Sequence, residues 1–160
     1  MNKYYRDKLD VGQRYQDFVM KELLNCGIVV QLYTSYKFQI DQGESLNGIE
    51  IKYDSKIKQT GNLYIETSEK TDKRNEMYIP SGIFRTDNTW LYCVGDSTHC
   101  HILSKKQLVL LNAQSYNYKK KNGIREVRTP TSNAILIPEE YARKYWTLKE
   151  IEFSCKFDGE

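Results

Sequence analysis

The chain of 160 residues is 39% hydrophobic, 28% charged and 12% aromatic, with 13 tyrosines and a formal net charge of +3. This excludes a disordered, collagen-like or low-complexity polymer and fits one folded domain with a single main core. It also excludes nucleic-acid binding by bulk basicity, so any such function must rest on clustered cations, and no apolar run approaches the roughly twenty residues of a membrane span.

In residues 12–25, Tyr15, Phe18, Val19 and Leu23 recur at i, i+3, i+4 and i+8, which predicts an amphipathic helix ended by Asn25 and Gly27. The β-branched run 28–32 and the alternating run 36–40 predict an extended segment or bent hairpin over 28–41. In GIEIKYD, residues 48–54, Ile49, Ile51 and Tyr53 fall on one face of a strand and Glu50, Lys52 and Asp54 on the other. Residues 62–68 repeat the design, with Leu63 and Ile65 opposed to Tyr64, Glu66 and Ser68. The connection DSKIKQTG ends in Gly61, so the two strands are expected as antiparallel neighbours with their polar faces side by side.

Further on, a helix is expected to start near Pro80. WLYCVG, residues 90–95, reads as a strand buried on both faces, with 101–103 pairing beside it. Ser104 caps a helix running to 111. A polar loop is expected over 112–133, a strand over 134–137, a helix over 138–145 opened by Pro138 and acidic residues, and an edge strand in KEIEFSCKF. The predicted fold class is α/β (α+β), a central mixed sheet flanked by helices, with 1–160 a single domain, its core over 12–111 and additions over 112–160.

Cations cluster at Lys56, Lys58, Lys73 and Arg74, at Lys105 and Lys106, and in YNYKKKNGIREVR, residues 116–128, where two tyrosines interleave with them. Isolated runs of this kind are ordinarily solvated surface. Cys26, Cys93, Cys100 and Cys155 contain no CxxC pair, and no signal-peptide pattern is present, which fits reduced thiols in a cytoplasm. Cys93, His99, Cys100 and His101 match no common structural-zinc spacing.

Several carboxylates on strand faces that turn toward a sheltered cleft repel one another and call for a cation. Mg²⁺ takes oxygen ligands and needs only one or two protein carboxylates beside water and phosphate oxygens. Two acids and an ammonium are therefore a compact kit for phosphodiester hydrolysis. The bland alternative is a set of cross-strand ion pairs on a solvated sheet, each contributing roughly 0.2–1 kcal/mol.

The order helix, three strands, helix, strand, with Asp54 in IKYD and Glu66 in YIETS eleven residues further on, resembles the PD-(D/E)XK (restriction-endonuclease-like) nuclease superfamily over residues 12–111. The resemblance implies an αβββαβ core and a deoxyribonuclease using Mg²⁺ or Mn²⁺. Asp54, Glu66 and Glu50 would be the metal ligands, Lys52 or Lys70 the catalytic cation, and Asp17 or Gln16 would stand where many members carry a further acid. The family lysine should stand two residues after Glu66, where this chain has Ser68; relocated lysines are known in the superfamily. A second register, Asp41, Glu50 and Lys52, keeps the motif lysine but leaves an extra strand before the next helix. The partner implied is nucleic acid, DNA first, with a second copy of the chain as an open alternative; the short apolar runs call for no membrane, and small size and general character suit a bacterial or phage-infected cytoplasm. A site that has lost activity would leave a nucleic-acid- or protein-binding module on the same fold.

Overall fold

The computed structural model describes residues 3–159. Helix α1, Lys3–Asn25, is longer than its apolar stripe predicts. Tyr15, Val19 and Leu23 on that stripe are completely buried. Gly27, at φ 77, ends the helix: Gly27 N–H donates to Leu24 O and Ile28 N–H to Leu23 O, the paired bonds of a glycine-terminated helix.

Two four-stranded sheets follow, and the fold is the expected α+β mixture, although the β structure is not one central sheet. The first sheet holds β1 (Ile49–Tyr53), β4 (Leu91–Gly95), β5 (His99–Ser104) and β8 (Thr147–Glu152), in that spatial order. It is mixed, because β1 runs parallel to β4 while the other pairs are antiparallel. The second is antiparallel, in the order β3 (Ile79–Pro80), β2 (Asn62–Glu69), β7 (Ser132–Pro138), β6 (Arg125–Arg128).

Strand alternation then distributes the core. Ile49, Ile51, Leu91, Cys93, Cys100, Ile102 and Ile151 meet the stripe of α1 and Phe157 in one cluster. Tyr92, Val94 and Leu103 leave the first sheet by its other face and pack with Leu63, Ile65, Ile135 and Ile137 of the second. β4 is therefore buried along its whole length, as its apolar run predicts. A fully buried Leu or Ile contributes about 1.5–3 kcal/mol, so these two interfaces fix how the sheets stand to each other. Helix α4 (Lys105–Asn112) adds Leu108 and Leu111 to the second cluster, and its Ser104 cap accepts from Gln107 N–H. Helix α6 (Glu139–Tyr145) follows Pro138 as expected.

Four expectations need correction. Residues 36–42 form helix α2 (Tyr36–Gln42), ended by Gly43 at φ 113, because the run before it finds only an isolated bridge between Leu32 and Ser45 and no strand partner. Near Pro80 there is a two-residue strand and a 3₁₀ turn, Gly82–Phe84, rather than a helix. The supposed loop 112–133 contains helix α5 (Tyr116–Lys121), capped by Ser115, and strand β6, which completes the second sheet against β7. Finally, β1 and β2 are not sheet neighbours; a short helix α3 (Ile57–Thr60), closed by Gly61 in the left-handed region, carries the chain from one sheet to the other.

Candidate active site

β2 pairs with β7 along its length, but on its other side β3 takes only Ser68 and Glu69. The edge over 62–66 is left open, and the end of β1 closes onto it. Asp54 makes the junction. Its Oδ1 accepts from Lys56 N–H at 3.0 Å and its Oδ2 from Tyr64 N–H at 3.1 Å, while its own N–H donates to Gly95 O at 2.8 Å. Beside this junction lies a cleft of ≈ 630 Å³, lined by Lys52, Asp54, Tyr64, Glu66, Tyr92 and Thr129 among others. Leu63 and Ile65 turn their side chains to the core.

Under the cleft sits an array of alternating charge. Glu50, only 3% exposed, holds its Oε1 2.6 Å from Lys52 Nζ, and its Oε2 accepts from Thr89 Oγ1 at 3.4 Å. Lys52 Nζ also donates to Glu44 Oε1 at 2.9 Å, and Gln16 Nε2 reaches Glu44 Oε2 at 3.5 Å. Burial pulls the lysine pKa down, but the charges of Glu50 and Glu44 outweigh it and hold it above the ordinary value, so the ammonium stays protonated.

Glu66 accepts from Ser81 Oγ at 2.7 Å. Burial is the main force raising its pKa; repulsion from Glu69 and Glu50 adds to it, and Ser81 and Lys52 oppose it. Burial likewise raises Asp54, against the two backbone N–H groups it accepts. The Tyr92 hydroxyl is buried in this lining with no hydrogen-bond partner of good geometry among the described residues, and burial, then the charge of Glu50, raises its pKa.

These shifts give a signed expectation. The folded pKa of Glu66 lies above the unfolded value of 4.5, so its ionised form costs stability at neutral pH, and the cost fades as pH falls through the folded pKa. Glu66→Gln is therefore expected to raise the thermal midpoint at neutral pH by roughly 2 °C. The gain should shrink toward zero on acidification. Melting curves between neutrality and the ordinary carboxylate range check this, and a gain that grows on acidification contradicts it.

Lys52, Asp54 and Glu66 thus open on one cleft, with Glu50 directly behind Lys52. They converge because the end of β1 abuts the open edge of β2, not because the strands pair. Lys70 does not reach the cleft. A bulge between Glu66 and Ser68 sets an extra β2 residue against β7 and breaks the alternation. Beyond it, Ser68 Oγ accepts from Asn133 Nδ2 at 2.8 Å in a separate pocket, and Lys70 Nζ stands 4.5 Å over the Tyr78 ring. Lys52 is consequently the only lysine of the expected pair at the site.

Asp41 is exposed on α2, and Glu44 takes the place beside Lys52 that the second register gave it. Asp17 is exposed, whereas Gln16 touches Glu44. Glu44 was missed by sequence reasoning; its only signal is the acid six residues before Glu50 in ESLNGIEIK. From the basic stretch 116–128, Val127 reaches the cleft lining, followed by Thr129 and Ser132, and Lys56 lines it from the other side. The cleft carboxylates are not drawn into a closed cation shell: among the described residues the only such group is His99, His101, Glu139 and Glu150.

No helix among the described residues is long and apolar enough to cross a membrane. Compared with protein-family models, curated proteins and solved structures, the chain has no match in any of the three.

Proposed function

We propose that this chain is a metal-dependent nuclease of the PD-(D/E)XK type that hydrolyses phosphodiester bonds in DNA. The observation that carries the reading is the meeting of Lys52, held between Glu50 and Glu44, with Glu66 and Asp54 around one cleft. The donor chemistry fits Mg²⁺ or Mn²⁺: carboxylate oxygens whose pKa values are raised gain from a hard cation, which needs only one or two of them. Glu66 and Asp54, which line the cleft, would hold such an ion, with Glu50 able to join them only by giving up its contact with Lys52; when bound, the ion would supply Lewis acidity at the scissile phosphate.

The protein's own groups do the rest. Lys52, kept charged by its two carboxylate neighbours, offsets negative charge on the phosphate and orients the attacking nucleophile. Ser81 fixes the Glu66 carboxylate, and the backbone N–H groups of Lys56 and Tyr64 fix Asp54. Lys56, with Thr129 and Ser132 across the cleft, contributes backbone contacts to DNA that carry no sequence information. The setting that goes with this reading is the cytoplasm of a bacterial or phage-infected cell.

The second reading is an inactive nucleic-acid- or protein-binding module. What favours it is that Lys52 is bonded to two acids, which hold it back from a phosphate, while Ser68 stands at the family lysine position. Incubation with supercoiled plasmid and single-stranded circular DNA in Mg²⁺ or Mn²⁺ separates the two. Cleavage by the wild type that falls about a hundredfold or more in both Glu66→Ala and Lys52→Ala, with folding intact by circular dichroism, is the expected result. Undiminished cleavage in both variants removes the proposal, and salt-sensitive DNA binding without cleavage by the wild type establishes the second reading.

A further inference from the structure

Strand alternation separates the two cysteines of the 93–101 region from the two histidines. Cys93 and Cys100 enter the core under α1, while His99 and His101, two residues apart on β5, share the opposite face. Both imidazoles aim Nε2 at one carboxylate oxygen, Glu139 Oε1, at 2.7 and 3.3 Å. Glu139 is the first residue of α6. Glu150 lies on β8 directly across from His101 and brings its Oε1 within 3.9 Å of His99 Nε2. The ligand atoms of these four residues all lie within 4.8 Å of one another.

From this geometry we infer that His99, His101, Glu139 and Glu150 form a binding site for a divalent transition metal, Zn²⁺ foremost, separate from the nuclease cleft. Zinc bonds of about 2.0–2.2 Å in a tetrahedron set the ligand atoms roughly 3.3–3.6 Å apart. The present separations bracket that range, so closing the shell needs side-chain adjustments rather than a change of backbone.

The outer contacts are those of ligating histidines. Each ring has its Nδ1 engaged, His101 with Thr147 Oγ1 at 3.2 Å and His99 with Thr98 Oγ1 at 3.0 Å, with Asp96 Oδ1 3.4 Å away. Asp96 is itself fixed by Thr98 N–H at 2.7 Å. Holding one ring nitrogen orients the other toward a metal. His101 is fully buried, so its ring is held in this orientation by the packing around it as well as by Thr147.

Charge points the same way. Among the described residues Glu139 and Glu150 share one ion-paired Lys or Arg, Arg143, which bonds Glu139 at 2.9 Å and both oxygens of Glu150 at 2.8 and 2.9 Å, while Asp96 has none. A divalent ion between the rings and these acids offsets the remaining negative charge. Mixed nitrogen and oxygen donors suit zinc or its neighbours, whereas the all-oxygen cleft suits Mg²⁺. Four protein ligands leave no open position, so the ion's role is to lock β5, α6 and β8 together. His99, Glu139 and Glu150 each retain some exposure, which gives the ion a way in.

The test uses the full chain, stripped with a chelator and titrated with Zn²⁺ in millimolar Mg²⁺, followed by calorimetry and thermal melting, with Co²⁺ as a spectroscopic probe. One Zn²⁺ per chain is expected, with a thermal midpoint roughly 5–10 °C higher at a hundredfold excess over Kd and the visible absorption of tetrahedral Co²⁺. His99→Asn and Glu150→Gln, chosen because both sites are partly exposed, should each weaken Zn²⁺ binding by about a hundredfold or more while Glu66→Gln leaves it intact. No Zn²⁺ binding by the wild type, undiminished binding in both variants, or loss confined to Glu66→Gln overturns the inference. The last outcome would place the ion in the cleft, and the inference fails or stands independently of DNA cleavage.

Discussion

Gly82→Ala is expected to destabilise the protein by about 3–4 kcal/mol and to lower the thermal midpoint by roughly 10 °C. Gly82 sits at φ 51, and a Cβ there would meet the backbone of Glu66, 2.2 Å from its O and 2.7 Å from its C, as well as its Cβ at 2.9 Å. Neither the left-handed conformation nor the backbone contact can be relieved by turning a side chain. The 3₁₀ turn must move away from β2, and Ser81, the donor to Glu66, moves with it. If the proposed nuclease activity is present, it is expected to fall together with stability. Gly12→Ala is the matched control, since nothing lies within 4 Å of the added carbon in the middle of α1; there a gain of about 0.5–1 kcal/mol is expected. Urea unfolding of both variants decides the matter, and a Gly82→Ala protein as stable as the wild type would show that the turn does not rest on Glu66.

Glu50→Ala should have a comparable effect through electrostatics. Breaking a buried ion pair costs about 3–5 kcal/mol when the remaining charge is stranded. Lys52 is not wholly stranded, because its side chain is 47% exposed and Glu44 still holds it, so a loss near 3 kcal/mol is expected. The cleft loses its backing acid at the same time, and the proposed nuclease activity is expected to drop by about 10²–10³-fold. Pairing Glu50→Ala with Lys52→Met in a double-mutant cycle isolates the coupling: the second substitution should be far milder on the first background than alone. A Glu50→Ala variant within about 0.5 kcal/mol of the wild type would mean that the pair contributes nothing to the fold.

Much of the architecture is written in local periodicity. The stripe of Tyr15, Val19 and Leu23, the alternation in β1 and β2, the apolar run of β4 and the Ser104 cap each encode an element within a few residues, and each stands where that pattern puts it. What the patterns do not carry is partnership. β1 pairs with β4, some forty residues on, and β2 with β7, some seventy on, so sequence proximity made them wrong neighbours. β6 has no strong pattern of its own and is a strand because β7 offers it an edge. The bulge after Glu66 leaves no local mark, yet it moves Ser68 and Lys70 away from the cleft. Of the candidate site, the grouping of Lys52, Asp54 and Glu66 was legible from the polar faces of the two strands, although the antiparallel pairing expected to bring them together does not form. Glu44 was not, since its role depends on α2 folding back beside β1. The spacing of His99 and His101 was visible, but Glu139 and Glu150 join them only through tertiary structure.

The aromatic clasp at the far side of the first sheet bears on how the chain is made. Phe153 and Phe157 lie against Tyr15 and Phe18, and Ser154 donates through both its backbone N–H and its hydroxyl to Glu22, 132 residues earlier. α1 is made well before the residues that complete its cover: β1, β4 and β5 meet its stripe, and Phe153 and Phe157 close over it only when the segment after β8 has been made. Closing that cover is a long-range step, and until it is made the uncovered part of the helix is apolar surface open to chaperones and to self-association.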